Sequence, residues 1–139
     1  MITYVDTSTF VKLLIVEKGT GVAETIWNST DVPSASRLLR VEAHSTLAHA
    51  HRIRRLTVTQ FESAKQELKV LWARLTIVEM TSQIVERACE FAESMELRAL
   101  DAVHLASAIA VGADVLTSAD RKLCIAARTV GLHVINPLD

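Results

Sequence analysis

The sequence predicts an α/β fold: a three-layer α/β/α domain on a central parallel sheet of four or five strands. Three observations lead there. Short apolar, β-rich runs alternate with segments of helical periodicity, which calls for parallel pairing and helices on both faces of the sheet. No repeat, linker or low-complexity segment interrupts the alternation. The 139 residues, half of them apolar, are enough for a single domain over residues 1–139 with one continuous core.

The elements follow in order. Ile2–Val5 is a short apolar run and reads as the first strand. Thr7, Ser8 and Thr9 offer capping hydroxyls for a helix from Phe10 to about Val16, which Gly19 and Gly21 break. A second short helix runs to about Ser29, and Asp31-Val32-Pro33 makes a brief strand. Ser34 or Ser36 opens a long helix ending near Arg55, and Thr57 or Thr59 caps the next, through about Leu75. Thr76–Met80 is a strand, followed by a helix from Thr81 or Ser82 to Met95. The helix Asp101–Val111 is closed by Gly112, and Val115–Thr117 is a strand. Asp120–Val130 is a helix closed by Gly131, and His133–Asn136 is the last strand.

Composition removes several functional classes. The net charge of −1 rules out strong attraction of the whole chain to nucleic acid, though not a local basic patch. Cys89 and Cys124 lie far apart without zinc spacing and read as small apolar residues. The N-terminus has no basic region before Asp6, unlike a signal peptide. The longest apolar stretch, Ala102 to Leu116, holds His104 and Asp114 and falls short of the ~20 residues of a membrane span. A reducing cytoplasm fits these features.

Function is written in the acids. Ligands of an open parallel sheet sit beyond the carboxyl ends of its strands. Asp6 directly follows the first strand, Asp120 follows Val115–Thr117 by a short turn, and Asp101 opens a helix at the same edge. Any one of them alone reads as a helix N-cap worth about 1 kcal/mol. Glu42 tips the balance. At ~100° per residue it falls in one arc with Leu38, Leu39, Ala43, Ala50 and Ile53, and glutamate is rarely buried unpartnered. A buried-face glutamate facing aspartates suits a divalent cation such as Mg²⁺, a hard ion that takes oxygen ligands. The alternative is a salt bridge to Lys12 or Arg98.

Five motifs carry a family resemblance: Tyr4-Val5-Asp6-Thr7-Ser8, Phe10-Val11-Lys12-Leu13-Leu14, Arg40-Val41-Glu42, Leu100-Asp101-Ala102-Val103-His104-Leu105-Ala106-Ser107-Ala108, and Leu116-Thr117-Ser118-Ala119-Asp120-Arg121-Lys122-Leu123. In order and spacing they resemble PIN-domain proteins, and with the total length the single-domain VapC-type toxins of bacterial toxin–antitoxin pairs. The resemblance implies a PIN fold, Mg²⁺ or Mn²⁺ dependence, endonuclease action on structured RNA such as tRNA or rRNA, and a homodimer neutralised by a cognate antitoxin. Asp6, Glu42, Asp101 and Asp120 take the acidic roles in it, with Ser118 as an accompanying hydroxyl.

A metal ion lowers the pKa of a water nucleophile and neutralises the leaving alkoxide. Asp6 and Asp101 are expected as direct metal ligands. Glu42 completes the shell through water or orients the attacking water, and Asp120, steadied by Ser118, holds a metal water or a second ion. Arg37, Arg40, His44, His51 and Arg55 form one helical stripe, either a solvated face or a phosphate track. His104, one turn from Asp101, is either a satisfied core histidine or a site contact. Two other acid-bearing folds fit less well: a phosphoacceptor receiver wants paired acids after the first strand, and a dehalogenase-like phosphatase wants an aspartate where Ser8 stands. A non-catalytic or phosphoacceptor binding module with an acidic metal pocket is the alternative function.

Overall fold

The computed structural model describes every residue, Met1–Asp139. Its strands are β1 (Ile2–Val5), β2 (Val32–Ser36), β3 (Thr76–Val78), β4 (Val115–Thr117) and β5 (His133–Ile135). They form one all-parallel sheet in the order β3-β2-β1-β4-β5, with Tyr4 opposite Ser34 on one side and Leu116 on the other. Seven helices connect them: α1 (Thr7–Phe10), α2 (Thr20–Ser29), α3 (Leu38–Arg52), α4 (Val58–Arg74), α5 (Ser82–Ser94), α6 (Ala99–Ala110) and α7 (Arg121–Thr129). A 3₁₀ turn, Val11–Leu13, extends α1.

The strand period of two builds the layers. Val5 joins a core cluster with Phe10, Trp27, Leu39, Leu47 and Leu68, drawn from α1 to α4. Its neighbour Tyr4 joins a second cluster with Phe91, Leu105, Leu116 and Leu123, which brings in α5, α6 and α7. Leu39, Leu47 and Leu68 are fully buried, each contributing about 2 kcal/mol by leaving water. No helix is long and apolar enough to cross a membrane.

Several ends differ from expectation, each for a local reason. Helix α1 begins at Thr7, three residues before the expected Phe10. The hydroxyls of Thr7 and Thr9 do not cap it but bond to Glu42 and Thr117 across the fold, and that of Ser8 bonds to the neighbouring Asp6 carboxylate. Strand β2 runs on to Ser36, so Ser34 and Ser36 are buried strand residues rather than helix starts. Helix α3 stops at Arg52, and Arg54 turns the chain out in the left-handed region at φ 63°. Ile53, expected on the core arc, is therefore 52% exposed, while Leu47 takes the buried place. Asp101 lies in the first turn of α6 rather than opening it. The capping expectations hold at Thr57, which forms a reciprocal box with Gln60, and at Thr81.

The chain leaves β1 toward β2 and β3, then returns to place β4 on the other side of β1. That reversal is where an open α/β sheet parts its loops and admits a ligand.

Candidate active site

Asp6 stands at this reversal, at the N-cap position of α1, yet its side chain caps nothing. Oδ2 instead accepts hydrogen bonds from Ser8 Oγ and Ser118 Oγ, both at 2.7 Å. Ser118 was expected to steady Asp120. It holds the carboxylate of Asp6, and Asp120 only donates its backbone N–H to the Ser118 hydroxyl, at 3.0 Å. Ser8 closes the knot by accepting from Ala119 N at 2.8 Å, fixing the β4–α7 turn to α1. Asp120 is a true N-cap, its Oδ1 accepting from Leu123 N at 3.0 Å.

Glu42 projects from α3 toward the same place. Its partner is neither Lys12, which pairs with Glu17, nor Arg98, which is exposed ahead of α6. Oε1 accepts from Thr7 Oγ1 at 2.9 Å and from His104 Nε2 at 2.6 Å. His104, fully buried on α6, also lies 3.4 Å from Asp6 Oδ1. Its Nδ1 is 2.7 Å from the Tyr4 hydroxyl, which accepts from Ser36 N at 3.1 Å. A carboxylate only accepts, so Nε2 carries the proton that faces Glu42. Both sequence readings of His104 are thus true at once: it is a satisfied core histidine, and it touches the site. The available signal was its place one turn from Asp101.

The electrostatics follow from four acids in a small space. Burial pushes the Asp101 carboxyl up to about 6, and the charges of Asp120, Asp6 and Glu42 add to the rise against the pull of His104. Burial is the largest influence on His104 and lowers its pKa. The Asp6 charge, with the bond to and charges of Glu42 and Asp101, outweighs it, and the imidazole is held above its ordinary value. Burial also lifts the Tyr4 hydroxyl far above the usual range, so it stays a neutral bridge.

Asp6, Glu42, Asp101 and Asp120 line one cavity of about 370 Å³. Glu42 Oε2, Asp120 Oδ2 and both oxygens of Asp101 accept no protein hydrogen bond, and Asp6 Oδ1 has only the long 3.4 Å approach of His104 Nε2. No three His, Cys, Asp or Glu side chains draw close enough to cage an ion alone. A bound Mg²⁺ usually takes only one or two carboxylates and keeps its other ligands as water, so this all-oxygen set fits such an ion.

The α3 stripe divides. Arg37 pairs with Glu79 and, like Arg40, lies over Trp72. His51 stacks on Phe61 at 4.8 Å and binds the Leu56 carbonyl, and Arg55 pairs with Glu17 at 3.2 Å. Arg37, Arg40, His51 and Arg55 thus each meet a partner within the protein.

The model of the PIN domain matches residues 3–128. Ribonuclease VapC45 of Mycobacterium tuberculosis (strain CDC 1551 / Oshkosh) is 39% identical over 133 residues, 94% of this chain and 92% of the relative. Among solved structures, Mycobacterium tuberculosis VapC20, a sarcin–ricin loop cleaving toxin, superposes with a TM-score of 0.71 at 21% identity, covering 94% of this chain and 95% of its own. A toxin–antitoxin complex from Klebsiella pneumoniae gives 0.68 at 17% identity, with 97% of each chain covered. With its sheet order, its knot of hydroxyls around Asp6 and this likeness along nearly its whole length, the chain belongs to the PIN-domain family.

Proposed function

We propose that the chain is a divalent-metal-dependent endoribonuclease that hydrolyses phosphodiesters of structured RNA and acts as the toxin of a toxin–antitoxin pair. The observation that carries this reading is the set of donor-free carboxylate oxygens around one cavity at the sheet's switch point. The relative named as a ribonuclease supports the reaction class. The neighbour described as cleaving the sarcin–ricin loop makes structured RNA the first substrate to try.

Asp6 and Asp101 are the residues that would hold Mg²⁺ or Mn²⁺ directly, with Glu42 and Asp120 reaching it through water. When bound, the ion supplies an activated water nucleophile and neutralises the departing alkoxide. The protein does the positioning. Ser8 and Ser118 fix one oxygen of Asp6 and so orient the other. Thr7 and His104 do the same for Glu42, whose free Oε2 can accept a proton from the attacking water. The new bond joins the water oxygen to phosphorus as the P–O bond to the leaving ribose oxygen breaks. Asp120, fixed at the start of α7 through Oδ1, would hold a water of the ion through its free Oδ2.

The test is cleavage of labelled tRNA and sarcin–ricin-loop RNA with Mg²⁺, with Mn²⁺ and with EDTA. Cutting that needs the ion is expected, and cutting that survives EDTA contradicts the metal. A cognate antitoxin and assembly as a homodimer belong to the same reading. An acidic cavity rich in unpaired oxygens suits an Arg or Lys from a partner chain. Expression alone should arrest bacterial growth, and co-expression of the neighbouring reading frame should relieve it. Harmless high-level expression of the intact protein counts against a toxin.

A further inference from the structure

Lys12 is the only basic side chain lining the acidic cavity, whose wall also carries Asp6, Glu17, Glu42, Asp101 and Asp120. Lysines are almost never buried, yet this one is 7% exposed. The fold is built around its stem. Gly19 sits over it at φ 92°, and a Cβ there would come within 3.1 and 3.2 Å of Lys12 Cδ and Cε and 2.9 Å of the Pro137 carbonyl. The ammonium bonds Glu17 Oε1 at 2.9 Å. Glu17 is itself anchored, its Oε2 by Arg55 at 3.2 Å and its backbone N–H on Thr20 Oγ1 at 3.0 Å.

An ammonium has three donors, and Glu17 takes one. The other two meet no acceptor in the protein. Glu17 keeps some solvent exposure, so the pair alone does not require a cation at the cavity wall. What requires one is an anion entering among five carboxylates. We propose that Lys12 binds a phosphate of the RNA substrate at the cavity wall, its ammonium held ready by Glu17 and Arg55. This rests on the ribonuclease reading above. Because packing has already fixed the flexible stem, little rotamer freedom is left to lose on binding. Lys12 is in this account a substrate-binding residue rather than a metal ligand or proton carrier.

The experiment measures RNA binding by fluorescence anisotropy with Mg²⁺ across a salt titration, in the Asp101→Asn background so that the RNA stays whole. Lys12→Met, which keeps the stem's bulk, should weaken binding roughly tenfold. It should also lower the slope of log K against log salt by about one. Lys12→Arg should keep the slope. Lys12→Met with unchanged affinity and slope overturns the proposal and leaves Lys12 as Glu17's structural partner. Should Lys12→Met fail to fold by circular dichroism, Lys12→Gln decides by the same two readouts, and unchanged affinity and slope overturn the proposal. RNA that is cut by wild type while Lys12→Met binds it normally sinks this inference alone; RNA neither bound nor cut sinks the ribonuclease reading with it.

Discussion

Asp101 and Glu42 differ in how the protein treats them. Thr7 and His104 hold Glu42, whereas Asp101 takes no protein hydrogen bond and its carboxyl rises from the ordinary 3.8 to about 6. A folded pKa above the unfolded one means the metal-free fold binds this proton more tightly than the unfolded chain does. That contribution is complete below about pH 4 and is lost as pH rises to about 6. In EDTA, wild type should therefore lose melting temperature relative to Asp101→Asn across that window, and the difference should level off above it. The comparison cancels the titration of groups remote from Asp101, whereas His104, which the Asp101 charge helps to hold up, responds to the substitution. A difference that does not change with pH would mean that neither burial nor its acidic neighbours raise the Asp101 carboxyl. The crowding is what a bound cation relieves, so metal should stabilise wild type more than the variant.

Among the elements, those bounded by a strong local signal were readable. Thr57 with Gln60 marks the start of α4, Asp120 that of α7, and β4 sits where its apolar run places it. The sequence marks only the start of strand β2, because its Val-Pro-Ser-Ala-Ser has no apolar pattern. Its serines are buried by pairing, Ser34 Oγ donating to the Thr3 carbonyl and the Ser36 N–H to the Tyr4 hydroxyl. The start of α1 differs from the sequence expectation because the hydroxyls of Thr7 and Thr9, which resemble caps, make tertiary bonds instead. The end of α3 depends on Arg54, a non-glycine residue in the left-handed region. That conformation costs an L-residue about 1 kcal/mol or more, and Arg54 is exposed with no salt bridge to lose. Arg54→Gly should thus stabilise the protein by up to about 1 kcal/mol, offset in part by the freer unfolded glycine, and raise Tm by a few degrees. A lower Tm would show that the side chain at this turn holds the α3–α4 connection.

At the scale of the whole molecule, the sheet's topology gathers what the sequence scatters. Asp6, Glu42, Asp101 and Asp120 come from four separate segments and line one cavity because β4 returns to the side of β1. Their convergence was legible because each acid stands at a strand end or on a buried helix face. The partners were less so. The alternative, salt-bridge reading of Glu42 looks to Lys12 or Arg98 as the available cations, while the fold supplies His104 from a helix 62 residues away. Lys12 pairs instead with Glu17, its stem packed under the turn at Gly19, a backbone feature with no apolar signature. Ser118 and Ser8 are small and common, and only the closing of the β4–α7 turn onto α1 shows that they clamp Asp6. The central claim, that these carboxylates work as one metal-dependent nuclease centre, is tested most directly at Asp101, whose oxygens carry no structural hydrogen bond. The measurement is the single-turnover rate of RNA cleavage with Mg²⁺ or Mn²⁺, wild type against Asp101→Asn, both shown folded by circular dichroism. The account predicts a loss of about 100-fold or more in the variant; cleavage by Asp101→Asn at near the wild-type rate would contradict it.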